Sequence, residues 1–331
     1  MITIGIESTC DETSCSIVKD GKEILSLVTA SSANIHAKYG GVFPEMACRH
    51  HIDVILPVIE EAMQKARVSK DQIDLIAVAN GPGLIGALLI GLQAAKGLAI
   101  AWQKPFIGVN HVEAHLYAAM MDHEPTLPAL GVVLSGGHTL LLQIQDIGNY
   151  VAIGTTVDDA LGEAFDKVAK LLSLPYPGGP HVENLALNGD PNRYSFKAGN
   201  VKKSPFDFSF SGIKTSVLYT VKDQKLSITD KADIAASFQE AALQDIVKKT
   251  GLALKKFPDT KAIYLGGGVC NNDRLRALFK EKFPEVSLYF PSKRLSLDNA
   301  AMIAGLGYQK FLQNPKSDSL DLEAKARIPI A

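Results

Sequence analysis

Residues 2–18 read ITIGIESTCDETSCSIV and residues 129–144 read ALGVVLSGGHTLLLQI. Each is an apolar run rich in strand-forming residues, a short turn of small or polar residues, and a second apolar run, which is the pattern of two strands joined by a turn. One such pair heads each half of the chain, so the halves read as a diverged internal duplication. A third apolar run, AIYL (262–265), leads into GGGVCNN (266–272) and then the helix-like DRLRALFKEKF (273–283).

Working outward, a long amphipathic helix is expected near 45–67, a strand at DLIAVAN (74–80), an apolar helix over 84–102, a short strand at FIGV (106–109) and a helix carrying HVEAH (111–115). Strands alternating with helices imply an α/β fold with a mostly covered sheet. The length of 331 residues suits two domains. The expected division is 1–128 and 129–331, with the C-terminal tail free to pack back on the first domain. The stretch from 186 to 212, rich in Asn, Pro, Gly and Ser without a period, reads as an inserted loop.

The net charge of -1, from 34 basic and 35 acidic residues, supplies no global field toward nucleic acid or an acidic membrane. Such a partner must be held by a local patch or by a helper protein. Cys10, Cys15, Cys48 and Cys270 form no CxxC pair, which suits free thiols in a reducing compartment. The opening strand leaves no room for a leader peptide, and a cytoplasmic setting is expected. LIGALLIGLQAAKGLAIAW (84–102) approaches the length of a membrane span, but Gln93 and Lys96 interrupt it, so a buried helix and no membrane association are expected.

HVEAH places His111 and His115 one helical turn apart, where both rings can address one point. Glu113 lies about 200° around the helix from His111 and faces away. A zinc protease of the HExxH type needs its glutamate beside the first histidine, so that reading is disfavoured. A metal site needs a third ligand, and the best candidate is Asp298 in RLSLDNAAMIAG (294–305). A carboxylate there equally suits stabilisation of the first turn of the following helix, and sequence leaves both readings open. SGGHT (135–139) and GGGVCNN (266–272) are glycine turns after strands, a form that suits phosphate binding through backbone N–H groups. Neither matches a P-loop or a GxGxxG fingerprint. Two related turns and a third glycine loop with Asn272 at a helix start suggest a nucleotide clamped by loops. LGEAFDKVAKLL (161–172) reads as an amphipathic helix that can turn Glu163 and Asp166 toward a ligand, and PYPGGPHVE (175–183) as a turn before another helix.

GIESTCDETS (5–14), YGGVFPE (39–45), GPGLIGALLIG (81–91), NHVEAH (110–115), LSGGHT (134–139), LGEAFDKVAKLL, YPGGP (176–180), FSFSGIKT (208–215) and GGGVCNN follow one another along essentially the whole chain. In this order they resemble the universal family of tRNA threonylcarbamoyladenosine transferases, in its bacterial (TsaD) branch. The resemblance implies a two-lobed fold of the actin, hexokinase and Hsp70 type (ASKHA) with ribonuclease-H-like halves. It implies transfer of a threonylcarbamoyl group from threonylcarbamoyl-AMP to the N6 amine of the adenosine 3′ of the anticodon, with release of AMP. By the same resemblance the metal ligands fall on His111, His115 and Asp298, for one divalent ion, iron(II) ahead of zinc. The ligand-contacting positions fall on Val133, Leu134, Ser135, Gly136, Gly137, Asp166, Gly179, Glu183 and Asn272. Asp11 is a candidate to orient or deprotonate the attacking amine. Implied partners are tRNA, a smaller paralogue of the same fold (TsaB), a P-loop ATPase (TsaE) and the synthase that makes the donor. Cys270 and Asn271 stand where relatives often carry small residues, a departure expected to alter packing more than chemistry. The competing readings are a metalloendopeptidase, a label the family once carried, and an ATP-binding scaffold without transfer activity.

Overall fold

The computed structural model describes residues 1–39, 41–202 and 204–330. Gly40 of the YGGVFPE motif, Lys203 of the expected insert and the terminal Ala331 lie outside the described residues. The chain divides into two compact units, Met1–Pro125 with Pro291–Ala331, and Thr126–Phe290.

In the first unit β1 (Ile2–Glu7), β2 (Glu12–Lys19) and β3 (Glu23–Ser31) form an antiparallel meander. A short helix α1 (Ala33–Ala37) and the long α2 (Pro44–Ala66) lead to β4 (Leu75–Gly81). Next come α3 (Ile85–Trp102), β5 (Phe106–Asn110) and α4 (His111–Ala118). β4 adds parallel to β1 and β5 parallel to β4, giving the sheet order β3-β2-β1-β4-β5.

The second unit repeats this scheme. β6 (Ala129–Leu134), β7 (Thr139–Asp146) and β8 (Asn149–Thr155) form the meander, followed by the helices α5 (Leu161–Leu171), α6 (Gly178–Ala186), α7 (Ser211–Val221) and α8 (Ile228–Lys256). β9 (Ala262–Gly266), α9 (Asp273–Lys282) and β10 (Ser287–Tyr289) complete it. The order is β10-β9-β6-β7-β8, with β6–β7 antiparallel and β6–β9 parallel. Numbered within its own unit, each sheet therefore runs 3-2-1-4-5, and the duplication expected from the two strand–turn–strand stretches appears in full. Of the expected insert, the described residues between α6 and α7 form no helix or strand. Asp158 pins its end by accepting hydrogen bonds from Ser209 Oγ, the Phe210 N–H and both donors of Ser211.

The expected division left the C-terminal tail free to pack back on the first domain, and the structure groups 291–331 with that unit. The cause is α10 (Ala300–Gln313), which packs on β1, β2, β4 and α4. Gly5 makes this approach possible, since a Cβ there would lie 2.2 Å from the Ala300 carbonyl oxygen. Beyond α10 the tail follows the edge strand β5. The Asp318 N–H donates to the Phe106 carbonyl, and the Gly108 N–H donates to the Asp318 carboxylate. An otherwise open sheet edge is thereby satisfied.

α3 also differs from expectation. Only one of its faces is buried, through Ala87, Leu88, Gly91, Leu92, Ala95 and Ala99, while Ile85, Leu89 and Ile100 are exposed. A helix apolar on all sides does not reveal from composition how much of it a neighbour covers. It is long and apolar enough to pass a membrane-span test by length and composition alone.

Candidate functional site

α4 is buried at all eight of its positions. Asn110 caps it, its side-chain oxygen accepting from the N–H groups of Val112 and Glu113. The cap fixes the start of the helix at His111, so His111 and His115 stand one turn apart with ring centroids separated by 4.6 Å. Asp298 arrives from the residues before α10. Its Oδ1 lies 3.1 Å from His115 Nε2 and 3.6 Å from His111 Nε2. The alternative role for Asp298, stabilising the first turn of the helix, falls to its neighbour instead: Asn299 is the N-cap and accepts from the Met302 N–H.

These three residues offer ligand atoms that all lie within 4.8 Å of one another. Bonds of about 2.0–2.2 Å to one ion would put pairs of donors about 3.0–3.4 Å apart, close to the 3.1 and 3.6 Å that separate Asp298 from the two histidines. Both ring nitrogens of His115 are buried without a hydrogen-bond partner among the described residues. His115 Nε2 is near Asp298 Oδ1, yet the pair does not form a hydrogen bond. Two lone-pair carriers aimed at a common point are what a cation requires, and an unsatisfied buried imidazole is otherwise costly. Two imidazoles and a carboxylate therefore fit a divalent metal.

Acidic groups crowd the triad. Glu7, fully buried at the end of β1, places Oε2 3.0 Å from His111 Nδ1. Burial works against a proton on His111, but the charges of Glu7 and Asp298 and the hydrogen bond to Glu7 outweigh it and raise the ring's pKa to about 9. Burial, followed by the charges of Asp11 and Asp298, pushes both the Cys10 thiol and the Glu12 carboxyl above their usual ranges. Asp11 thus shares the electrostatic neighbourhood of the triad, in the turn between β1 and β2. Its carbonyl is held by the N–H and hydroxyl of Ser32. Glu113 is buried and paired with Lys310 at 2.8 Å, away from the triad, as the helix geometry required. The residue that would activate water in an HExxH protease is absent from this face.

In the second unit Val133 and Leu134 are strand residues of β6 with fully buried side chains, so only their backbone at the strand end is available to a ligand. Ser135 closes the following turn: its N–H donates to the His138 carbonyl, and its hydroxyl accepts from the His138 N–H. Gly136 and Gly137 are exposed, and a Cβ on either would meet nothing within 4 Å. Neither has a left-handed φ. Neither a close contact nor a left-handed φ requires these two glycines, and their backbone is left bare.

Two elements converge on this turn. The N-terminus of α5 abuts it, with the Gly162 N–H donating to the Ser135 carbonyl, and the loop after β9 touches it at Gly267. Gly267 has φ of 94°, and a Cβ there would lie 2.4 Å from the Leu134 carbonyl oxygen. Asp166 on α5 accepts from the Gly178 N–H at 2.7 Å, beside Gly179, whose missing Cβ also faces open space. Glu183 on α6 accepts from the Asp273 N–H at the start of α9. Asn272 caps α9 through the Leu275 N–H and donates to Gln239. Glu163 pairs with Lys167. Asp166, Glu183 and Asn272 thus each tie a loop or helix start to a neighbouring element.

Sequence reasoning gave no role to Glu7, although a carboxylate ending an apolar strand is an unusual group to bury. Nor did it give one to Asn110, whose Asn-before-helix position is a standard cap signal.

A family model described as TsaD, tRNA N6-adenosine threonylcarbamoyltransferase, matches residues 23–305. A protein of that name from Protochlamydia amoebophila is 60% identical, over 100% of this chain and 98% of its own. Another of that name from Chlamydia trachomatis is 49% identical, over 94% of this chain and 93% of its own. Among solved structures, full-length HypF matches with a TM-score of 0.65 at 15% identity, over 96% of this chain and 47% of that one. Component A of the Acidaminococcus fermentans (R)-2-hydroxyglutaryl-CoA dehydratase matches with a TM-score of 0.54 at 16% identity, over 94% of this chain and 98% of its own. At such identities the two structures speak for the fold alone.

Proposed function

The chain belongs to the tRNA N6-adenosine threonylcarbamoyltransferase family, and on that premise we propose how its residues divide the work of the transfer. The reaction joins a threonylcarbamoyl group to the N6 amine of an adenosine in tRNA. The donor is threonylcarbamoyl-AMP, a mixed anhydride, and the acceptor is the adenosine 3′ of the anticodon. The amine nitrogen bonds to the carbamoyl carbon, the bond from that carbon to the phosphate oxygen breaks, AMP leaves with the electron pair, and the amine gives up one proton.

His111, His115 and Asp298 hold a divalent metal, iron(II) or zinc. When bound, that metal supplies a Lewis acid for an oxygen of the donor. The N–H groups of Gly136 and Gly137 bind the phosphate and stabilise the charge that grows on it as AMP departs. Asp166, Gly179, Glu183 and Asn272 border the adenosine and ribose. Ser135 shapes the turn, and Val133 and Leu134 contribute backbone only. Asp11 takes or orients the amine proton. Unchanged turnover in Asp11→Ala would remove that last assignment.

The observation that carries this reading is the His115 ring, buried beside Asp298 with neither nitrogen hydrogen-bonded. The net charge of -1 favours helper-dependent engagement of tRNA, because solitary tRNA binding draws its affinity mainly from phosphate neutralisation. The helpers are a smaller paralogue of the same fold (TsaB) and a P-loop ATPase (TsaE), with a threonylcarbamoyl-AMP synthase as donor source, all in the cytoplasm. The test is transfer of labelled threonine to tRNA in a mixture reconstituted from these components. Transfer is expected with the wild-type chain and lost with His111→Ala. A His111→Ala chain that transfers at the wild-type rate would overturn the metal-centre reading.

A further inference from the structure

Glu7 and His111 lie 104 residues apart in sequence and meet as a buried pair in the first unit. Among the described residues each carboxylate oxygen of Glu7 has one hydrogen-bond partner. Oε1 accepts from the Thr9 backbone N–H at 2.6 Å, and Oε2 faces His111 Nδ1 at 3.0 Å. The Thr9 hydroxyl is the other group near Nδ1, at 3.4 Å. On the far side of the ring, Nε2 points toward Asp298.

We propose that Glu7 is a positioning residue that fixes which ring nitrogen His111 offers to the metal. This rests on the metal-centre reading above and adds a residue to it. An ionised carboxylate can only accept, so the nitrogen facing it carries the proton. In the neutral ring the lone pair is then on Nε2, the atom that shares its surroundings with His115 Nε2 and Asp298 Oδ1. The carboxylate also makes the ring a more basic ligand and holds its plane. The Thr9 N–H matters because it fixes the orientation of whatever occupies position 7.

Glu7→Gln preserves size and shape, but its amide oxygen must stay on the Thr9 N–H, the donor it cannot move. The amide NH2 then faces His111 Nδ1, donor against donor. The neutral ring is relieved only by carrying its proton on Nε2, which blocks the ligand atom. Glu7→Ala removes the partner without installing a donor, and water or the Thr9 hydroxyl can accept from Nδ1–H. The positioning role therefore predicts that the isosteric change is worse for metal binding than the truncation. A packing role predicts the reverse, because truncation opens a cavity and the isostere does not.

The experiment measures zinc(II) affinity of the full chain by competition with a chromophoric chelator, for wild type, Glu7→Gln and Glu7→Ala. Thermal unfolding of the metal-free proteins runs alongside. Expected is a loss of roughly 10- to 100-fold in Glu7→Gln, as for outer partners of other metal-bound histidines, and a smaller loss in Glu7→Ala. Glu7→Gln within twofold of a zinc-binding wild type, or Glu7→Ala weaker than Glu7→Gln, overturns the inference and leaves the metal centre standing. A wild type that does not bind zinc overturns both. Nitrogen-15 NMR of the zinc-loaded wild type decides even where a variant fails to fold. A protonated, hydrogen-bonded His111 Nδ1 supports the assignment, and an unprotonated Nδ1 overturns it.

Discussion

The turn between β1 and β2 and the turn between β6 and β7 occupy the same place in two copies of one sheet topology, yet they are made of opposite materials. The first, Ser8 to Asp11, is built of side chains that the surrounding structure engages. Ser8 donates to the Ala87 carbonyl, and the Thr9 N–H holds Glu7, which in turn addresses His111. The second, Ser135 to His138, keeps its own ends together and leaves Gly136 and Gly137 bare. On the proposed function, the duplicated scaffold has one turn that supports side-chain ligands and another that presents main-chain donors. The charges follow: carboxylates surround the first site, where a cation is expected, and uncharged N–H groups line the second, where an anion is expected.

The severest test of the first half of this comparison is His115→Ala. It removes a ligand whose ring is fully buried. Zinc affinity and transfer should both fall by more than the roughly 100-fold expected for an outer-shell partner. Metal analysis of the purified variant and the labelled-threonine assay check the two effects separately. A variant that keeps stoichiometric metal would mean that the triad does not hold it.

Gly137→Val tests the other half. Because its Cβ points into open space, thermal stability should change by no more than about 0.5 kcal/mol. Blocking one N–H to a phosphate removes a charge-assisted hydrogen bond of about 1.5–3 kcal/mol. Affinity for a threonylcarbamoyl-AMP analogue should therefore fall roughly 10- to 100-fold. Isothermal titration calorimetry with the zinc affinity measured in parallel gives the contrast. Unchanged analogue binding would break the comparison, since the glycines would then have no role in either fold or ligand.

How much of this was legible in the sequence follows from how local each signal is. The paired strand–turn–strand stretches announced the duplication because strand patterning is local. The histidine pair was legible because i and i+4 always share a helix face. Asp298 was ambiguous because a carboxylate near a helix start has two uses, and only the structure hands the cap to Asn299. Glu7 gave no usable signal, since its partner is 104 residues away. A tail free to pack back on the first domain was expected, but where the returning segment begins was hidden for the same reason. The apolar pattern of α10 says that a face is buried, but Gly5 and the sheet it packs on select the neighbour. α3 erred in the opposite direction: apolar but for Gln93 and Lys96, it read as buried, and the structure covers one face.

The mildest prediction separates the two sites by pH. In the metal-free protein His111 has its pKa raised to about 9, against an ordinary value of about 6.5. A folded-state pKa above the unfolded one contributes stability that is fully present below about pH 6.5 and is lost as pH rises through about 9. The metal-free chain should therefore melt at lower temperature as pH climbs across that window. Zinc uptake runs the other way. His111 keeps its Nδ1 proton toward Glu7 and must shed the other from Nε2 before that atom can ligate, so one proton is displaced per ion. Zinc affinity should rise about tenfold per pH unit up to about pH 9 from this ring alone, then level off. The backbone donors of Gly136 and Gly137 do not titrate, so analogue affinity should stay flat between about pH 7.5 and 9. Parallel slopes at the two sites would erase the distinction between side-chain and main-chain chemistry, and diverging slopes would tie it to a single proton on His111.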